Sequence, residues 1–116
     1  MSNQNVANNP RVIVIQKLYS YNLNKDILIQ YPKHRYKKFI KDVVKGTIER
    51  EEFILEKLNE ILKTDFNPSR TDLILKLMII SASFELIFVH KTPIKVIVGE
   101  YIKISDFFLE NAHKRY

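Results

Sequence analysis

Apolar residues along the 116-residue chain return every three to four positions in five stretches, the spacing of amphipathic helices. Val12, Ile15, Leu18, Tyr19 and Asn22 mark neighbouring turns of a first helix over 11–22. Phe39, Ile40, Val43 and Val44 do the same over 34–47, and Ile54, Leu58, Ile61 and Leu62 over 47–63. Gly46 stands between these two stretches, where it bends or ends a helix. The run 66–69 (Phe-Asn-Pro-Ser) is the clearest punctuation, and Ser69 followed by Asp72 reads as a helix start. A nearly all-apolar helix then covers 70–88, and such a helix needs other helices around it. His90 and Lys91 form a link. Thr92 is placed to cap the last helix, and Pro93 suits its first turn, where no N–H partner is needed. Ile94, Ile97, Val98, Tyr101, Ile104 and Phe108 give that helix its inner stripe, to about Leu109.

Two stretches stay outside this pattern. Residues 1–9 are polar and Asn-rich, and read as a disordered tail before one domain over 10–116. Residues 25–32 fit either a short helix or an extended link, with a break at Tyr31-Pro32.

Composition narrows the class. Two glycines and four prolines among many Ile, Leu, Lys and Glu favour an all-α fold over a turn-rich β fold. The length fits one domain able to bury a core without staples. With no cysteine there is no disulfide framework, thiolate metal site or Cys nucleophile, as suits a reducing cytoplasm. The start of the chain lacks a charged segment followed by a long apolar one, so it does not read as a signal peptide. Lys76 and Glu85 interrupt the apolar run 73–89, and both are expensive inside a bilayer. A buried central helix is therefore expected, with no membrane role.

The formal net charge is +6, and it is unevenly spread. From Lys25 to Lys45 there are seven basic and two acidic residues; from Gly46 to Asp65 there are three and six. A basic front permits nucleic acid, anionic lipid or an acidic protein as partner. Lys38, Lys41 and Lys45, with His34, fall on one helical face that would track phosphates or simply be solvated.

Enzyme chemistry finds little footing. His34, His90 and His113 are far apart and lack metal-ligand spacing, and there is no Gly-rich phosphate loop. Glu85 in an apolar helix is a catalytic hint in principle. The commoner role of such a residue is a hydrogen bond to a neighbouring loop or helix end. No catalytic residue, metal or cofactor is expected.

Four segments in order carry a family resemblance. They are Arg11 with 16–21 (Gln-Lys-Leu-Tyr-Ser-Tyr), 42–46 (Asp-Val-Val-Lys-Gly), 70–72 with 82–86 (Arg-Thr-Asp; Ala-Ser-Phe-Glu-Leu), and 92–101 (Thr-Pro-Ile-Lys-Val-Ile-Val-Gly-Glu-Tyr). Together they resemble the NusB family of bacterial transcription antitermination factors, over about 11–116. Three departures stand out. Gly99 sits where many members have Asn, only Lys76 keeps a positive charge where Leu-Arg is frequent, and the usual final C-terminal helix reads as missing after Tyr116, the chain being either truncated or naturally short.

The resemblance implies an all-α bundle of two packed helical subdomains sharing the central helix. It implies binding of a boxA-type single-stranded RNA together with a NusE-type small-subunit ribosomal protein, in the RNA polymerase antitermination complex that serves ribosomal RNA operons. Single-stranded RNA wants cations for phosphates and aromatic rings for bases. Arg11, Gln16 and Tyr19 on the first helix, and Lys114 and Tyr116 at the far end, are the RNA-contact candidates. The plainer roles are a solvated Arg11 and a half-buried Tyr19. Asp72 is the nearest match to an acidic partner-binding residue, and capping is its competing role. No methyl transfer is expected without a following cofactor-binding domain. The other class of function is a helical protein-interaction module without an RNA role.

Overall fold

The computed structural model describes residues 6–62 and 72–114, with side chains described to Leu109. Among them are four helices and no strand: α1 (Pro10–Leu23), α2 (Lys37–Leu62), α3 (Leu73–Phe88) and α4 (Ile94–Lys114).

The all-α expectation holds, and α1, α2 and α4 all pack on α3. Most of their inner-stripe residues meet in one core. It includes Val12, Ile15 and Leu18 of α1, Ile40, Val44 and Ile54 of α2, Leu77, Ile80 and Phe84 of α3, and Ile97 and Ile104 of α4. Ile61, Ile94 and Val98, expected on inner faces, are exposed, because no neighbouring helix covers their side of α2 and α4 among the described residues. The central helix is not covered on every side: Leu75, Leu86 and Ile87 remain exposed.

The expected break at Gly46 does not occur. One helix of 26 residues replaces the two read over 34–47 and 47–63. Gly46 is present for a packing reason: a Cβ there would overlap the Phe84 ring of α3. The missing side chain lets an aromatic ring lie directly on the α2 backbone, and backbone hydrogen bonding carries the helix through. Around this contact Phe84 stacks on Phe88, and the Arg50 guanidinium lies 4.2 Å from the Phe88 ring centroid.

Helix ends follow local chemistry, partly against expectation. The side chain of Asn9 accepts the N–H of Arg11, and Pro10 opens α1. Residues 6–9 thus form an ordered lead-in, with Val6 packed on the core; residues 1–5 of the expected tail lie outside the described residues. Asp72 caps α3 by accepting from Ile74 and Leu75 N–H. The proposed start at Ser69 and Arg70 lies outside the described residues. The N–H groups of Val96 and Ile97 go to the Pro93 carbonyl, and no capping bond to Thr92 is found among the described residues. The ambiguous 25–32 segment is non-helical, and Ile29 and Tyr31 are partly buried against the core.

Candidate nucleic-acid interface

Gln16 and Tyr19 are exposed on the outer face of α1, with Tyr19 37% exposed. Arg11 points elsewhere. Five residues at ~100° each place Gln16 about 140° around the helix from Arg11. Rather than a solvated cation, Arg11 is buried, 8% exposed. Its Nε donates to Glu85 Oε2 at 2.9 Å and its Nη2 to Glu85 Oε1 at 2.6 Å. This two-pronged pair joins α1 to α3.

The fourth helix completes the network. Tyr101 Oη donates to Glu85 Oε2 at 2.5 Å. Its only proton being used there, the 2.6 Å contact with Ser81 Oγ has the serine as donor. Glu85, fully buried, therefore accepts three hydrogen bonds, two from Arg11 and one from Tyr101, as a buried carboxylate must find partners. Burial acts to lower the Arg11 pKa, but the hydrogen bond and charge of Glu85 outweigh it and leave it raised. Burial first, then the Glu85 charge, pushes the Tyr101 hydroxyl well above its ordinary value. The catalytic hint in Glu85 thus resolves into an ion pair across helices.

Beside this network lies an open cleft of about 370 Å³, bordered by Asn9, Arg11, Tyr36, Phe39, Thr92 and Glu100. Asn9 Nδ2 donates to Glu100 Oε2 at 3.4 Å, and Lys103 Nζ lies 3.7 Å from Glu100 Oε1. The Arg11 guanidinium sits 4.9 Å from the Phe39 ring centroid, and that of Arg35 5.4 Å from the Tyr36 ring centroid. The sequence reading missed this cleft. Its one legible sign was the run 34–38, His-Arg-Tyr-Lys-Lys, an aromatic ring set among cations.

The lysine stripe is present: Lys38, Lys41 and Lys45 are exposed along α2, with Lys38 3.5 Å from Asp42. His34 does not belong to it. It lies ahead of α2, where Nδ1 accepts the Tyr36 N–H; Nε2 therefore carries the proton and donates to the Asn8 carbonyl at 2.8 Å. Beyond Lys45 the exposed face of α2 turns acidic at Glu49, Glu52, Glu56 and Glu60. Lys76 is drawn toward Glu51 of α2, 3.6 Å away. Asp72 serves as the cap described above, and its side chain is exposed. Lys114 is the last residue of α4, its side chain outside the described set, and Tyr116 lies wholly outside it. The structure therefore brings Gln16 and Tyr19 together, and turns Arg11 inward.

A family model described as the NusB family matches residues 8–115. The chain belongs to the NusB family. A relative of the family, the "Transcription antitermination protein NusB" of Maricaulis maris (strain MCS10), is 24% identical over 78 residues. The match takes in 67% of this chain and 49% of that protein, so the chain is matched to about half the relative's length. No solved structure matches. The NusB match includes Arg11, Gln16, Tyr19, Asp72, Glu85, Glu100 and Lys114 within its bounds. Among the described residues no cluster of three metal-ligating side chains occurs, and no helix is long and apolar enough to cross a membrane.

Proposed function

We propose that this protein is a transcription antitermination factor that binds a boxA-type single-stranded RNA together with a NusE-type ribosomal protein. It acts in the cytoplasm within the RNA polymerase antitermination complex, and without catalysis. The observation that carries this reading is the NusB family match over residues 8–115. Exposed Gln16 and Tyr19, the lysine stripe of α2 and the formal charge of +6 support it, since RNA needs cations and open aromatic faces. In this reading Gln16, Tyr19, Lys114 and Tyr116 contact RNA directly. Arg11 reaches it only through whatever part of its guanidinium Glu85 leaves open. The exposed Asp72 meets the protein partner while capping α3.

Fluorescence anisotropy with a boxA-like strand and a scrambled one, at two salt concentrations and with or without the partner, tests it. Tighter boxA binding that the partner strengthens and salt weakens is the expected result. Equal binding to both strands, or none, overturns it.

The second reading, a helical protein-interaction module without RNA, is favoured by Ile94, Val98 and Ile102, exposed on successive turns of α4. Binding of the ribosomal protein with no effect of RNA would support that reading.

A further inference from the structure

We propose that the cleft between the start of α1, the approach to α2 and the first turns of α4 holds one guanine base. The base belongs to a single-stranded RNA, and in that respect the proposal rests on the RNA-binding reading above.

Size and walls come first. About 370 Å³ is at the lower end of the ~300–1,000 Å³ span of ligand clefts, and a single base needs no more. Tyr36 is 49% exposed although aromatic, and it borders the cleft together with Phe39. An open ring of this kind is a stacking platform for any base. Arg35 beside that ring, with Lys37 and Lys38 following, supplies cations for flanking phosphates.

The polar groups then choose among bases. A carboxylate repels phosphate, so Glu100 in a basic neighbourhood calls for donors on the ligand. Its protein contacts are a long hydrogen bond, 3.4 Å from Asn9, and an ion pair at 3.7 Å with Lys103, which leaves acceptor capacity on both oxygens. Asn9 is held by its cap bond to the Arg11 N–H, so it steadies the carboxylate. Arg11 supplies the opposite polarity. Its Nε and Nη2 are taken by Glu85, and among the described residues no group accepts from Nη1.

Glu100 and Arg11 both line the cleft, so it offers an acceptor pair and a donor. On its Watson–Crick edge guanine presents N2–H and N1–H as adjacent donors, followed by the O6 acceptor. Glu100 takes the two donors and Arg11 Nη1 donates to O6. Adenine and cytosine each set one amino donor beside an acceptor, and uracil flanks its single N–H with two acceptors. None of these matches a carboxylate with both oxygens. Unstacked bases in single-stranded RNA are read along this edge.

The test uses the full chain and anisotropy with oligouridine strands carrying one central G, A, C or inosine. The single-G strand is expected to bind about tenfold or more tighter than the single-A strand, with inosine, which lacks the N2 amino group, in between. Glu100→Gln should abolish the G preference while the all-uridine strand binds at least as tightly as it does to the parent protein, since a charge that repels phosphate is gone, and Tyr36→Ala should weaken every strand. Equal binding of the G and A strands by a protein that binds oligouridine overturns the guanine site and leaves the RNA reading standing. If no strand binds, the RNA reading falls, and titration with guanosine monophosphate followed by NMR decides the cleft alone. Shifts confined to residues around Asn9, Tyr36 and Glu100, absent with adenosine monophosphate, retain a guanine site for a free nucleotide; no shift overturns it.

Discussion

Arg11 and Glu85 stand 74 residues apart in sequence and meet through two hydrogen bonds, at 2.9 and 2.6 Å, inside the bundle. The pair fixes the start of α1 against the last turns of α3 and sets the depth of Arg11 in the cleft. Removing one member strands the other as a buried charge, at a cost of ~3–5 kcal/mol. Arg11→Ala and Glu85→Ala should each lower the urea midpoint accordingly. Replacing both together with apolar residues of similar volume, Arg11→Met with Glu85→Leu, should cost much less than the two single losses added. Strict additivity would mean the two residues act independently.

Tyr101 predicts an alkaline limit. Its hydroxyl is held well above the ordinary 10.0 by burial first and by the Glu85 charge second. The unfolded chain loses that proton near pH 10, while the folded protein keeps it. The contribution is therefore whole below about pH 10 and is lost as pH climbs toward the folded value. Tyr101→Phe should be less stable at neutral pH, because Glu85 and Ser81 each lose a partner. The difference from the parent protein should shrink above pH 10, read by urea denaturation from pH 8 to 11. A constant difference would count against the linkage.

The two glycines should respond oppositely to the same change. A Cβ on Gly46 overlaps the Phe84 ring, so Gly46→Ala must displace an aromatic side chain and should cost ~1–3 kcal/mol. Nothing lies within 4 Å of a Cβ built on Gly99, which is exposed inside α4. Gly99→Ala should therefore stabilise by ~0.5–1 kcal/mol through helix propensity and reduced freedom of the unfolded chain. Thermal melts with circular dichroism compare the two, and a fall with Gly99→Ala would contradict the open geometry.

Thr47 is buried in α2, and its hydroxyl has no hydrogen-bond partner among the described residues. Leaving a hydroxyl unpaired in the core costs ~1–3 kcal/mol. Thr47→Val keeps the shape and removes that cost, so the denaturation midpoint should rise. A fall would place a bridging water in the 10 Å³ void that Thr47 borders, about the space of one molecule.

Tyr19 carries the RNA reading at one residue. If a base stacks on its exposed ring, Tyr19→Ala should weaken boxA-strand binding by ~1–3 kcal/mol with little change in stability. An unchanged anisotropy curve would end the stacking role.

Helix content was written in the sequence, because a 3.6-residue recurrence of Ile, Leu and Val fixes which stripe must leave water, and the family resemblance lay in four short segments in order. The Asp72 cap and the covered part of the α4 stripe, Ile97, Tyr101 and Ile104, follow from such local chemistry. Charge placement was local too, as the exposed lysines of α2 confirm. What tertiary structure alone decided was the meaning of single residues. Gly46 reads locally as a breaker, yet the Phe84 ring, 38 positions on, makes it a packing site inside one long helix. Arg11 reads as a surface cation because its partner is 74 residues away. Asn9, Tyr36 and Glu100 carry no shared periodicity, and only the packing of three helix starts brings them around one cleft. Periodicity reports which face of an element is buried; it carries no record of which distant side chain will lie against it.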